Sequence, residues 1–263
     1  MNEVVSTVAR RWQEELARDG YKTRIKDRRD FLRLTRYSRT WKIILKAIKL
    51  KSGASVFEFG YGGGNQLVPL ALRGYKCCGI DCSEDMLVRC RDFIVDAEHF
   101  AGKQLNIQLV CGDFLAYTSQ STYDLVFNVG VIEHFIDDHE REIAIQKMFS
   151  LCKPGGYVVS VVPNGQHPLR ERMRKEGLGG YHVPEIDYNC AMIADEMIKA
   201  GAEHVQVIPH NLLGYLLIYP NISTLRKVSY CCLYYVAQVF PSIRLQMICK
   251  HAASLICIAR RAS

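Results

Sequence analysis

From residue 55 onward, short apolar runs alternate with longer amphipathic stretches, and few architectures accept such a pattern. Ser55-Val56-Phe57-Glu58-Phe59 reads as a buried strand ended by Gly60. Gln66 to Leu72 reads as a helix with Pro69 in its first turns, where proline is tolerated. Tyr75 to Ile80 is a second strand. Ser83 to about Phe100 is a helix, with Ser83 as N-cap, Glu84 and Asp85 in the first turn, and a stripe of Met86, Leu87, Cys90, Phe93 and Ile94. Asn106 to Cys111 and Tyr123 to Val129 follow as strands. A helix over Asp138 to Cys152 stops at Lys153-Pro154-Gly155-Gly156. Tyr157 to Val162, His204 to Ile208 and Ser254 to Ala259 are further strands, with a helix over Cys190 to Ala200. The alternation predicts an α/β, doubly wound, mainly parallel sheet with helices on both faces. Ligands of such sheets bind beyond the carboxyl ends of the strands, so the site belongs just after Phe59, Ile80, Cys111 and Asn128.

At 263 residues, 49% apolar and 23% charged, the chain has ordinary globular usage and excludes a disordered or collagen-like protein. Its 11 cysteines include the adjacent pairs Cys77-Cys78 and Cys231-Cys232 but no CxxC, which argues for reduced, mostly buried thiols in a cytosolic setting. The first twenty residues lack the apolar core of a signal peptide. The net charge of +7 is uneven. Residues 1–51 carry 15 Lys/Arg against 6 Asp/Glu, residues 52–210 carry 13 against 21, and residues 211–263 carry 6 against none. An acidic globular middle thus lies between basic ends, and no nucleic-acid recognition motif accompanies the basic residues.

The turn after the first strand is Glu58-Phe59-Gly60-Tyr61-Gly62-Gly63-Gly64-Asn65. Its glycines let the backbone turn tightly and let a ligand approach the main chain. Asn65 stands where a dinucleotide fingerprint needs its third glycine, and no Walker-type Lys-Ser/Thr follows. Asp81 directly follows the second strand, where a carboxylate can accept both ribose hydroxyl hydrogens of a nucleoside. Asp113-Phe114 follows the third strand, and Asn128 to His134 the fourth.

Glu58 to Gly64, Gly79-Ile80-Asp81, Gly112-Asp113-Phe114, Tyr123 to Val126, Glu133-His134 and Lys153 to Gly156 resemble the ordered motifs of class I S-adenosylmethionine-dependent methyltransferases. The chain is most similar to the small-molecule branch that includes the ubiquinone-pathway O-methyltransferases. The resemblance covers roughly residues 50–165. It implies a seven-stranded sheet with an antiparallel last strand, S-adenosylmethionine as cofactor and S-adenosylhomocysteine as product. It places Glu58 and the Gly60–Gly62 backbone at the methionine moiety and Asp81 at the ribose hydroxyls. Cys82 and Met86 would flank the adenine, Asp113 would accept from its amino group, Phe114 would cover the ring, and the Asn128 backbone would close the pocket. Glu58 replaces the commoner Asp, and Tyr61 a commoner small residue. An O-methyl acceptor benefits from a base, for which His134 is the candidate beside Glu133; the competing reading is that both only brace the cofactor pocket. His167, Tyr181, His182 and Glu185, in the Gly- and Arg-rich segment from Asn164 to Asp187, are second candidates for acceptor contacts. No histidine or carboxylate spacing suggests a metal site.

The sequence divides into an N-terminal helical extension (1–50), a cofactor-binding core (51–210), a helical insertion (211–252) and the last strand of the core (253–263). Helices are expected around Val4–Arg18, Asp27–Leu34 and Arg39–Leu50, with Tyr37 and Arg39 as candidates for the cofactor carboxylate. The insertion holds no acidic residue, and Leu225, Val228, Cys232, Tyr235 or Val236, and Val239 form a helical stripe. Its uncharged stretch is broken by prolines and polar residues, which excludes a membrane span. Three roles compete for it: a cap over the acceptor pocket, a homodimer interface, and a peripheral helix on an anionic membrane. The expected function is methyl transfer to a small or lipid-like acceptor, through oxygen, in the cytoplasm or at its membrane face. A methyltransferase of a macromolecule and a non-catalytic cofactor-binding module are the alternatives.

Overall fold

The computed structural model describes residues 10–12, 24–36, 38–176, 183–211, 223–239 and 249–263, with the backbone alone at 230 and 233–239. Most of the expected helix Val4–Arg18, together with Tyr37, Tyr181, His182 and the side chains of Tyr235, Val236 and Val239, lies outside what is described. In chain order the elements are α1 (Arg28–Leu34), α2 (Arg39–Ile48), β1 (Ser55–Phe59), α3 (Leu67–Leu72), β2 (Lys76–Asp81), α4 (Glu84–Ala101), β3 (Ile107–Cys111) and β4 (Tyr123–Val129). A 3₁₀ turn (Ile132–His134) then leads to α5 (Asp138–Leu151), β5 (Cys152–Pro163), α6 (Arg170–Lys175), α7 (Cys190–Lys199), β6 (Ala202–His210), α8 (Thr224–Val239) and β7 (Ser254–Arg261).

The helices begin where short polar side chains satisfy their first free amides. Asp27 accepts from Arg29 N and Asp30 N, Ser38 from Trp41 N, Ser83 from Met86 N, and Asn189 from Met192 N. The seven strands run β3-β2-β1-β4-β5-β7-β6, parallel except β7, which is antiparallel to both β5 and β6. This is the expected doubly wound sheet with its antiparallel last strand.

Alternation along β1 sends side chains into two separate cores. Val56 packs with Trp41, Ile44, Leu70 and Met86 of α2, α3 and α4, while Phe57 packs with Met148, Tyr188 and Ile193 on the α5–α7 side. Phe57 is fully buried, so its truncation to alanine would cost about 3–5 kcal/mol.

Lys153-Pro154-Gly155-Gly156 does end α5, as expected, but it is not a turn outside the sheet. β5 starts at Cys152 and carries the four residues as its first part, with a register shift against β4 between Tyr123 and Leu125. Gly155 has φ +70°, and a Cβ on Gly156 would come within 3.0 Å of the Asp124 carbonyl, so glycine permits the irregular pairing. Lys153 Nζ fastens it by donating to Asp124 Oδ1 at 2.8 Å.

Where its side chains are described, α8 of the insertion does not form a packed cap. Leu225 and Val228 are 77% and 53% exposed, and Cys232 is exposed too, so this part of the expected stripe faces outward. None of the described helices is long and apolar enough to cross a membrane.

Candidate functional site

β1 and β4 are neighbours although two strands separate them in sequence, so the chain runs outward in opposite directions from them and leaves a crevice at their carboxyl ends. A cleft enclosing about 1070 Å³ of open space, its mouth included, lies there. Its walls come from the ends of all four strands predicted to carry the site: Glu58 with Gly60–Gly63, Ile80–Cys82, Gly112–Phe114 and Val129–Val131.

The glycines of the first turn do different work. Gly60 has φ +71°, and a Cβ there would meet Val131 Cγ2 at 2.6 Å, so this glycine lets the turn lie against the β4 loop. Gly62 has φ +48° with nothing within 4 Å of an added Cβ: its bare backbone faces open space. Gly64 is a packing residue, since a Cβ would reach Cys90 Sγ at 2.7 Å.

Three carboxylates line the strand ends. Glu58 is buried, its Oε2 has no hydrogen-bond partner, and burial with nearby Asp81 raises its pKa well above the usual range. Asp81 accepts from Gly62 N at 2.8 Å and Ser83 N at 3.0 Å, which fixes its side chain against the glycine turn. Burial raises its pKa, and these amides oppose the rise. Asp113 accepts from Leu115 N at 2.9 Å through Oδ1. Beside it Phe114 stands edge-on to Phe59 and Phe135, with ring centroids 4.6 and 5.2 Å away. Met86 and Cys82 complete the wall, and burial pushes the Cys82 thiol up to about 12.

Asn128 is placed differently from expectation. It is fully buried and not among the residues lining the cleft. Its Nδ2 donates to Ser160 Oγ at 2.7 Å, which ties β4 to β5, and Val129, Gly130 and Val131 form that wall instead. Tyr61 is also buried, packed beside Gly79, with its hydroxyl unpartnered.

Glu133 and His134 lie in the 3₁₀ turn behind this wall rather than in it. His134 Nδ1 lies 3.0 Å from the Pro184 carbonyl, which makes Nδ1 the protonated nitrogen of a neutral ring and leaves Nε2 as the basic one. Burial lowers the His134 pKa, so the ring is neutral near pH 7. Burial raises Glu133 to about 8, Glu185 adds to the rise, and its Oε2 is unpartnered.

Ligand atoms of Glu133, His134 and Glu185 all lie within 4.8 Å of one another, a metal-type grouping that linear spacing does not reveal. Arg170 already supplies a cation there, with Nη2 2.8 Å from Glu185 Oε1. His167 is not part of this group: it is buried beside His251, and burial followed by His251 holds it down to about 4.

Sequence reasoning missed Trp12, Asn65, Gln66 and Phe135 as cleft residues. Trp12 lines the cleft and meets the His134 ring edge-on at 4.8 Å, so it brings the cleft wall into contact with the Glu133–His134–Glu185 group. Nothing in the basic N-terminal pattern distinguishes it. Gln66 accepts from Trp41 Nε1 at 2.7 Å, and the pair holds α2 against the glycine turn.

Residues 56–156 match the family model of the methyltransferase domain. An uncharacterized methyltransferase of Bacillus mycoides (strain KBAB4) is 31% identical over 116 residues, covering 44% of this chain and 50% of the relative. The chain spans about half the length of the curated relatives it matches. Among solved structures, the magnesium protoporphyrin IX methyltransferase of Synechocystis PCC 6803 with bound S-adenosylhomocysteine superposes with TM-score 0.55 at 17% identity, covering 98% of this chain and 95% of that one. An N-methyltransferase from Bradyrhizobium japonicum WM9, also bound to S-adenosylhomocysteine, gives TM-score 0.57 at 14% identity, covering 98% and 100%. At these identities the likeness is one of fold. The fold is that of these methyltransferases, and residues 56–156 carry the sequence pattern of the methyltransferase domain.

Proposed function

We propose that this chain is an S-adenosylmethionine-dependent methyltransferase acting on a small or lipid-like acceptor at oxygen, in the branch similar to ubiquinone-pathway O-methyltransferases. The supporting observation is the single cleft in which Glu58, Asp81 and Asp113 follow one another along consecutive strand ends beside the bare backbone of Gly62. S-adenosylmethionine is the cofactor and S-adenosylhomocysteine the spent form; bound, it supplies an already activated methyl group.

The cleft's chemistry fits that group. The unpartnered, desolvated Glu58 Oε2 suits the ammonium of an amino-acid moiety, which would satisfy a buried acceptor that costs about 1–3 kcal/mol when left unpaired. Asp81 has lone pairs beyond the two amide bonds it accepts and can take both ribose hydroxyls. Asp113 and Phe114 offer an acceptor and an aromatic face to a purine, with Cys82 and Met86 on the flank. Val129 to Val131 take over the closing role that the motif assigns to Asn128.

At the acceptor side, the neutral His134 ring is oriented by the Pro184 carbonyl, so Nε2 can receive the acceptor's proton. Glu185 stabilises the imidazolium so formed, while Glu133 stays protonated. Alignment of acceptor and methyl and exclusion of water by Trp12, Val131 and Phe135 supply the rest. Residues 1–50 and 211–252 act as accessory elements on a core of 51–210 and 253–263, in the cytoplasm or at its membrane face. The test is release of S-adenosylhomocysteine on incubation with S-adenosylmethionine and a panel of phenolic, amine and lipid acceptors. Turnover confined to amines would overturn O-methylation, and none with any acceptor would favour a binding module.

A further inference from the structure

Cys190 and Cys249 are 59 residues apart in sequence, yet the Cys190 thiol donates to Cys249 Sγ across 3.8 Å. Cys190 is the first residue of α7. Cys249 lies in a helical turn shortly before β7, near the end of the insertion. Both side chains are half-buried, so a small oxidant can reach them.

The backbone around the pair is already held in place. Asn164 Nδ2 donates to the carbonyls of Cys249 and Ala252 at 2.7 and 2.8 Å, and Asn164 N donates to Ala253 O. On the other side, Gly165 N donates to Tyr188 O, and Ile186 N to Glu133 O, which tethers the extended segment leading to Cys190 beside the acceptor-side group. Closing the sulfurs to the bond length of about 2 Å therefore asks for side-chain rotation rather than backbone rearrangement.

We propose that Cys190 and Cys249 form an oxidation site, a dithiol that closes reversibly into a disulfide and pins the return of the insertion to the start of α7. With a peroxide as oxidant, Cys249 thiolate attacks a peroxide oxygen, giving a sulfenic acid and one water. The Cys190 thiolate then attacks that sulfur, forming the S–S bond and releasing a second water; two electrons and two protons pass from the thiols to the peroxide. The hydrogen bond from Cys190 sets the two sulfurs side by side, with Cys249 as acceptor and Cys190 placed to attack it. Cys257, the third thiol nearby, is fully buried and pushed up to about 12, so it does not compete.

The bridge would close a loop containing most of the insertion, which restricts the unfolded chain and raises stability. The experiment treats the full-length protein with a few equivalents of hydrogen peroxide, blocks remaining thiols, and maps peptides without reduction. The expected result is a Cys190–Cys249 cross-linked peptide and a melting midpoint raised by about 5 °C, both reversed by dithiothreitol. Cys249→Ser and Cys190→Ser should each lose the cross-link and the shift. If oxidation falls on the exposed Cys111, Cys231 and Cys232 while Cys190 and Cys249 stay fully blockable, the proposal is overturned, and the wild-type map alone decides this even if a variant folds poorly. Cofactor binding does not enter either result, so the two proposals fail separately.

Discussion

Glu58, Asp81 and Asp113 each lie within two residues of a strand end, and every neighbour that fixes them is a few positions away or on the adjacent strand. The Glu133–His134–Glu185 group is assembled in another way. Its third member arrives 51 residues later, oriented through the bond from Ile186 N to Glu133 O and the ion pair from Arg170 to Glu185. The first region is a local device, repeated at consecutive strand ends. The second depends on how Pro184 to Ile186 dock against the 3₁₀ turn after β4, and its roles are correspondingly exposed to change. The cofactor side should therefore lose function through single contacts, the acceptor side through orientation.

The largest effect is expected from Asp81→Ala. Two to three charge-assisted hydrogen bonds disappear, so affinity for S-adenosylhomocysteine in calorimetry should fall about 1000-fold. An unchanged affinity would break the cofactor side of the comparison. His134→Ala should leave that affinity intact and slow transfer to an accepted substrate by about 100-fold, read as S-adenosylhomocysteine release. Equal turnover in the variant would reduce the acceptor group to a brace for the fold.

A third effect is thermodynamic. Glu133 is raised to about 8 when folded, chiefly by burial, so the folded state holds its proton more tightly than the unfolded one. That contribution is complete below the ordinary glutamate range and is lost as the pH rises through about 8. Between pH 6.5 and 8, where the depressed His134 and His167 are neutral in the folded state, unfolding free energy should fall by about 1 kcal/mol per pH unit. Glu58 is shifted the same way, so Glu133→Gln should lessen the slope without abolishing it. Urea denaturation at several pH values would show it, and a slope equal in variant and wild type would contradict the buried, protonated state. The smallest effect belongs to Leu225→Ser, at a site 77% exposed, which should move stability by less than about 0.5 kcal/mol. A larger loss would show that α8 packs against something.

The same contrast governs what could be read before the fold was seen. β1 and β4 begin and end where the apolar runs do, and Ser83 caps α4 as its residue type implies. Such features are set by neighbours within a few residues. The cleft's position followed from alternation alone, because strand order and crossover hand leave little freedom. The acceptor side was only partly legible. Glu133 and His134 stood out, but their distance behind the wall and their alignment with Glu185 and Pro184 arise from packing between segments far apart in sequence. Trp12 is the clearest case: nothing in its basic stretch distinguishes the indole, and only the fold sets it in the cleft wall against His134. Asn128 was expected to close the pocket through its backbone; the residues lining that wall are Val129 to Val131, and the Asn128 side-chain amide bonds Ser160 inside the sheet.

The central claim is that the carboxyl ends of β1 to β4 form a site for an adenosyl amino acid. Isothermal titration of the wild-type chain with S-adenosylhomocysteine tests it most directly. One equivalent bound with micromolar affinity, abolished by Asp81→Ala in a variant that retains its far-ultraviolet circular dichroism, is the result predicted. A folded wild-type chain that gives no heat with either S-adenosylhomocysteine or S-adenosylmethionine would contradict it.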